Sequence, residues 1–244
     1  DRGYEPGRVQ HGALRDARGG WNGVDGRPAA VKNFLAYTLQ RLGTDYVDVY
    51  RLARVDPSVP IEETVGAIAE MVKAGLVRHV GLSETGAAAI RRAHAVQPVA
   101  AVQNQYSLWA REQEHNGVLD ACGELGIGFV PWAPLGTGFL TGKIDANTKF
   151  DSADLRSTFP RFTPEAMKAN LAFVDMIRGF ATRKGATPAQ VALAWLLAAC
   201  VGPGALASVL FYKGIAHLEA NRASVLMLRE PLTGGFGSLG DVAH

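Results

Sequence analysis

Apolar positions along this chain switch repeatedly between the spacing of a helix and that of a strand. From residue 28 onward the two patterns take turns with no linker-like gap. Val31, Leu35, Leu39 and Leu42 recur at helical spacing, which predicts a helix over Ala29 to Leu42 with Pro28 in its first turn. Tyr46 to Leu52 then reads as a strand, and Asp56-Pro57 as the turn that leaves it. Val65, Ile68, Ala69 and Val72 share one face of a helix predicted over Ile61 to Lys73, which Gly75 ends before a strand at Val77 to Ser83. The unit repeats as a helix over Ala87 to Ala95 and a strand over Val99 to Tyr106. It repeats again as a helix over Gln113 to Leu125 and a nearly all-apolar strand over Ile127 to Pro134. A long polar loop precedes a helix at Pro164 to Lys184. Thr187-Pro188-Ala189-Gln190 has the spacing of a capping box, so the next helix starts there and runs to about Cys200. Ala207 to Tyr212 reads as a last strand and Ile215 to Met227 as a last helix.

Strands that are apolar on both faces and alternate with helices imply an α/β fold, a parallel sheet covered by helices. With Val9 to Ala13 as a further short strand there are about six βα units, which suits a doubly wound sheet or most of an eight-fold barrel. A length of 244 residues fits two ordinary domains or one barrel. No Gly-x-Gly-x-x-Gly follows a strand; "GTGFLTG", Gly136 to Gly142, is the nearest run, but its spacing differs.

Composition narrows the function classes more than the fold. A net charge of +2, with Lys and Arg scattered, gives no electrostatic footprint for nucleic acid. Cys122 and Cys200 are the only cysteines, both in apolar helical contexts, and read as reduced core thiols of a cytoplasmic protein. Val191 to Tyr212 carries no charge and is long enough to suggest a membrane span. Gly202-Pro203-Gly204 interrupts it, so a buried helix, a turn and a buried strand is the better reading.

Four stretches carry a family resemblance: "RLGTDYVDVY" (Arg41 to Tyr50), "GLSE" (Gly81 to Glu84), "VQNQYSLW" (Val102 to Trp109) and "GIGFVPWAPLGTGFLTG" (Gly126 to Gly142). In this order and spacing the chain resembles an aldo-keto reductase from about Val9 to Asn221. The resemblance implies a TIM-type (β/α)8 barrel that binds a nicotinamide cofactor, usually NADPH with NADH possible, at the C-terminal ends of its strands. It also implies roles for single residues. Ser83 and Gln103 match the side chains that hold the nicotinamide carboxamide, and Glu84 stands where many members have Asn. Trp132 matches the aromatic residue that stacks on the ring, usually Tyr. Leu135 and Gly136 match the loop that approaches the pyrophosphate. Towards the C-terminus the phosphate end departs from the family pattern: Asn221 matches, Lys213 stands one place off the expected lysine, His217 stands near the usual Arg and Ala220 replaces Glu, so that Lys213 and Arg222 are the cations offered to a phosphate.

The acid–base machinery that the resemblance implies is not matched. Family members use a Tyr acid, a Lys that lowers its pKa, an Asp that holds the Lys, and a His that orients the substrate. Where the Lys belongs this chain has Gln10, in "VQHG"; where the His belongs it has Ala53, in "YRLARVDP". His11 neighbours the lost Lys, but adjacent strand residues point to opposite faces. Tyr4 lacks family context, and His79, His94 and His115 read as surface positions. The Asp and Tyr would belong to two βα units ahead of Asp1, so the chain is expected to be one partial barrel domain over residues 1–244.

Two functional readings follow. One is an NAD(P)H-dependent oxidoreductase that reduces an aldehyde or ketone, with activity weakened at Gln10 and Ala53. The other is a non-catalytic nicotinamide-binding or regulatory barrel. The expected partner is a small carbonyl compound, with no nucleic acid and no membrane. Trp21 and Trp109 could wall a pocket for an apolar or aromatic carbonyl or simply pack. Trp21 lies in the Asp16 to Arg27 segment, which with Lys143 to Phe162 and the Leu228 to His244 tail is a candidate for setting specificity.

Overall fold

The computed structural model describes residues 8–152 and 154–201, which group into two compact units. The first takes in the described residues up to Asn104 together with Glu112–Val130; the second takes in Gln105–Arg111 and the described residues from Pro131 on. The expected strand at Ala207 to Tyr212 and helix at Ile215 to Met227 lie outside the described residues.

In the first unit five strands are parallel, in the order β1 (Arg8–His11), β4 (Val47–Leu52), β5 (Val77–Ser83), β6 (Val99–Gln103) and β7 (Gly128–Phe129). Helices α1 (Pro28–Leu42), α2 (Ile61–Lys73), α3 (Ala87–Val96) and α4 (Val118–Leu125) alternate with them. The apolar stripes named above carry the packing in part: Leu42 is exposed, and Leu39, Ala69 and Val72 are half-buried. Val31 and Leu35 of α1, Val65 and Ile68 of α2, and Ile90 of α3 are fully or almost fully buried, with Tyr50, Leu52, Val80, Leu82 and Val102 of the sheet. Tyr50 fixes which face of β4 meets α1, because its hydroxyl donates to the Val31 carbonyl at 2.8 Å.

Several boundaries differ from the sequence expectation, each for a local backbone reason. The strand expected over Val9 to Ala13 stops at His11, where Gly12 takes a left-handed φ of 88°. After Gly12 the chain forms an antiparallel hairpin, β2 (Ala13–Arg15) with β3 (Trp21–Val24), so the Asp16 to Arg27 candidate segment holds its turn and second strand. Asp16 organises its turn, accepting from the backbone N–H of Arg18 and of Gly20 at 2.8 Å each. The strand expected to reach Tyr106 ends at Gln103. The helix expected from Gln113 starts only at Val118, after a short 3₁₀ turn over Glu112–Glu114. Gly117 has φ 79°, which no helix contains, and the Asn116 side chain accepts from the Val118 N–H. The strand expected over Ile127 to Pro134 shrinks to Gly128–Phe129; Ile127 turns its N–H back to the Cys122 carbonyl, and Ala133 has a positive φ of 52°.

The second unit is helical. A 3₁₀ segment over Gly136–Thr141 and two 3₁₀ turns, Leu155–Thr158 and Pro160–Phe162, precede α5 (Pro164–Lys184) and α6 (Pro188–Val201). Phe139, Ile144, Phe162, Met167 and Val174 form its aromatic-rich core, with Trp109, Phe150 and Phe159 packed against it. The capping box at α6 is realised: Gln190 Oε1 accepts from the Thr187 N–H at 2.8 Å, and Thr187 Oγ1 accepts from the Gln190 N–H at 3.2 Å. None of the helices, among the described residues, is long and apolar enough to cross a membrane.

Candidate cofactor site

The C-terminal ends of β1, β4, β5 and β6 bring the first unit's candidates into one row. The sheet register aligns Gln10 with Arg51, Arg51 with Gly81, and Ser83 with Gln103. Because side chains alternate along a strand, Gln10, Arg51, Gly81, Ser83 and Gln103 share the face opposite Tyr50 and α1. Ser83 is buried. Glu84 follows it with a positive φ of 49°, and its N–H donates to the Gln103 carbonyl at 3.1 Å. A buried amide network supports this edge. Asn104 Oδ1 accepts from the Thr85 N–H at 3.1 Å, while Asn104 Nδ2 donates to the Thr85 carbonyl at 3.1 Å and to Gln113 Oε1 at 3.3 Å. With every member partnered, the network holds the turn after β5 in one geometry.

Arg51 crosses this row. Its Nη1 donates to Gln103 Oε1, two strands away, by passing over Gly81. A Cβ at Gly81 would meet Arg51 Cβ and Cγ at 3.2 Å and Val49 Cγ1 at 3.0 Å, so the missing side chain leaves room for the start of the Arg51 stem. Sequence reasoning missed this pair, although the period-two alternation that turns Ala53 to this face turns Arg51 there as well.

The positions expected to carry acid–base chemistry hold none. Gln10 is exposed on β1, and Ala53 is buried at the end of β4 with its N–H donating to the His11 carbonyl at 2.8 Å. His11 lies on the other face, buried and stacked on Tyr50 with ring centroids 4.0 Å apart. Burial without a hydrogen-bond partner lowers its pKa to about 3, so the imidazole stays neutral. Tyr50 is no substitute acid, since burial raises its phenol pKa above the ordinary value. Beside the row, Asp56 ties the hairpin to β4's turn, accepting from the Gly26 N–H at 2.9 Å and from the Ser58 N–H and Oγ at 2.9 and 2.6 Å. These hydrogen bonds hold its carboxyl below the usual carboxylate range.

Of the two aromatic candidates, Trp21 is 57% exposed on the hairpin with the Arg15 guanidinium 5.7 Å from its ring centre. Trp109, in the second unit, is committed to packing: it stacks on Phe139 at 4.4 Å and meets Phe162 edge-on at 5.8 Å. In the same unit Trp132 bridges to Gln105 through backbone, and its carbonyl accepts from the Tyr106 N–H at 3.3 Å. Leu135 and Gly136 open the 3₁₀ segment. Gly136 has φ 56°, and a Cβ there would meet Trp109 Cε3 at 2.9 Å. Lys213, Asn221 and Arg222, and with them the expected phosphate end, lie outside the described residues, as does Tyr4. Of the two cysteines Cys122 is buried, and burial raises its thiol pKa to about 11.

The strand-end row can be set beside known proteins. The family model for the aldo/keto reductase family matches residues 14–230. The chain belongs to the aldo/keto reductase family. It is 44% identical over 174 residues to a probable aldo-keto reductase of Glycine max, covering 71% of this chain and 50% of that protein. It is 42% identical over 216 residues to an aldo-keto reductase of Strobilurus tenacellus, covering 85% of this chain and 62% of that protein. The chain therefore spans about half to three fifths of the length of these curated relatives. Among solved structures it resembles a glycerol dehydrogenase of Gluconobacter oxydans, with a TM-score of 0.71, 21% identity, and 93% of this chain and 74% of that chain covered. It also resembles a thermostable aldo-keto reductase solved with the inhibitor epalrestat, with a TM-score of 0.54, 29% identity, and 70% of this chain and 53% of that chain covered. Family and structural likeness together imply the (β/α)8 barrel, with which the parallel five-stranded sheet agrees.

Proposed function

We propose that this chain acts as an NAD(P)H-dependent oxidoreductase of aldo-keto reductase type, in the cytoplasm, on a small aldehyde or ketone. The observation that carries this reading is the pairing of Ser83 with Gln103 at adjacent strand ends, within a chain of this family. A carboxamide needs one donor for its carbonyl and one acceptor for its NH₂. Gln103 Nε2 and the Ser83 hydroxyl form such a set on one face, so the residues present fit the group. Glu84 borders them. In the second unit Trp132 is proposed for ring stacking, and Leu135 and Gly136 for approach to the pyrophosphate. For the residues outside the described part, Lys213 and Asn221 are proposed at the phosphate end, with NADPH favoured over NADH. When bound, the cofactor supplies a hydride, and the chain's part is to hold the carboxamide and exclude water.

A second reading, a nicotinamide-binding barrel without turnover, is favoured by Gln10 and Ala53, where neither side chain moves a proton. Titration with NADPH and NADH, followed by quenching of tryptophan fluorescence, tests what the two readings share: saturable quenching is expected, and binding of neither form would sink both. Turnover against a panel of small aldehydes then separates enzyme from binder.

A further inference from the structure

We infer that Arg51 is a positioning residue of the nicotinamide end of the site, which orients the Gln103 amide and favours the reduced, uncharged ring over the oxidised, cationic one. The inference rests on the cofactor reading above and concerns a residue to which the family resemblance assigned no role.

An unconstrained glutamine amide can present its oxygen or its nitrogen to a ligand. Arg51 removes that choice. Its Nη1 donates to Gln103 Oε1, so Oε1 is held towards the guanidinium and Nε2 is left to donate. The Ser83 oxygen, in register with Gln103, is then the acceptor for the carboxamide NH₂. The same contact brings a permanent charge to the site, because a guanidinium stays protonated at every working pH. Arg51 sits one amide side chain away from the place proposed for the carboxamide. Gln10, in register with Arg51 on the same face, is neutral and adds no charge. Gly81, in register with Arg51, leaves its stem uncrowded: a Cβ there would lie 3.2 Å from Arg51 Cβ and Cγ.

The oxidised nicotinamide ring carries a full positive charge and the reduced ring none, while the rest of the cofactor is the same. Repulsion from Arg51 therefore acts on one redox form alone. For like charges several ångströms apart at a half-buried position, this is on the order of tenfold in affinity, and it weakens with salt.

The test is the ratio of dissociation constants for NADP⁺ and NADPH, measured on the chain by calorimetry, with NAD⁺ and NADH as a second pair. Arg51→Met keeps the bulk of the stem and removes the charge; Arg51→Lys keeps the charge and loses the planar fork. The expected result is that Arg51→Met lowers the oxidised-to-reduced ratio by roughly tenfold. Arg51→Lys should keep most of the ratio while weakening both forms, since a lysine cannot hold Gln103 in the same way. In the unmodified chain the ratio should fall as salt rises from about 0.05 M to 1 M, a readout that needs no variant to fold. A ratio unchanged by Arg51→Met, or a ratio indifferent to salt, overturns the inference. In each of those cases the cofactor reading stands. Failure of the unmodified chain to bind either form overturns that reading, and this inference with it.

Discussion

Gln10 and Ala53 are single side chains on which the proposed enzyme and binding-only readings divide. Both lie on elements whose backbones hold their places in the sheet, so restoring chemistry there needs little backbone change. The double variant Gln10→Lys with Ala53→His is expected to raise turnover of a small aldehyde above that of the unmodified chain. A steady-state assay of NADPH consumption checks this, and no gain would show that these two side chains do not suffice without a matched Tyr acid. At the same scale Gly26 is confined: a Cβ would lie 2.9 Å from both Asp56 Cβ and Thr64 Oγ1. Thr64 Oγ1 also donates to the Gly26 carbonyl at 2.7 Å, so neither neighbour can retreat without losing a hydrogen bond. Gly26→Ala is expected to cost about 1–3 kcal/mol, read from the urea midpoint. The place of Ser83 and Gln103 at strand ends was legible in the sequence because the strand patterns and motif text locate them there. The Arg51–Gln103 contact was not, because it joins residues 52 positions apart across an intervening strand.

At the scale of elements, periodicity located helices better than strands. Ile61–Lys73, Pro164–Lys184 and the strand Val77–Ser83 match the sequence reading residue for residue. The helices show why: Val65 and Ile68 belong to a periodic apolar stripe, and Thr163 and Gly185 cap the ends of Pro164–Lys184. The misses lie where a few residues leave regular geometry, at Gly12, Gly117 and Ala133, each with positive φ. A run such as Ile127 to Pro134 is apolar enough for a strand, yet strand length depends on what its neighbour pairs with, which lies elsewhere in the chain. The start of α6 gives an element-level prediction. Thr187→Ala removes the oxygen that accepts from the Gln190 N–H and is expected to cost about 1 kcal/mol of stability. Thermal melting followed at 222 nm checks it, and Thr187→Ser should recover most of the loss.

For the molecule as a whole, His11 links stability to pH. Its pKa is about 3 in the folded chain against 6.5 for an exposed imidazole. Between those values the unfolded chain binds the extra proton, so stability rises with pH through this window and is lost as pH falls from 6.5 towards 3. The slope approaches about 1.4 kcal/mol per pH unit inside the window. Asp25 and Asp56 behave differently: their lowered pKa values, set by Arg27 and by Ser58 and Gly26, give stability that is lost only at more acid pH, as each carboxylate protonates. Urea unfolding at several pH values between about 4.5 and 7 should therefore show a slope that His11→Phe largely removes. A slope surviving that substitution would assign the effect elsewhere.

The sequence by itself determined the family, the alternation of helices and parallel strands, and the identity of the residues at the strand ends. Those properties follow from local periodicity and from motif text, which need no knowledge of distant neighbours. Only the tertiary structure decided that Ala13–Arg15 and Trp21–Val24 pair as a hairpin, that His11 is buried against Tyr50, and that Arg51 reaches Gln103 two strands away. Each of these depends on sheet register and on the space left by residues on another strand or turn, quantities that arise only when separate parts of the chain are packed together.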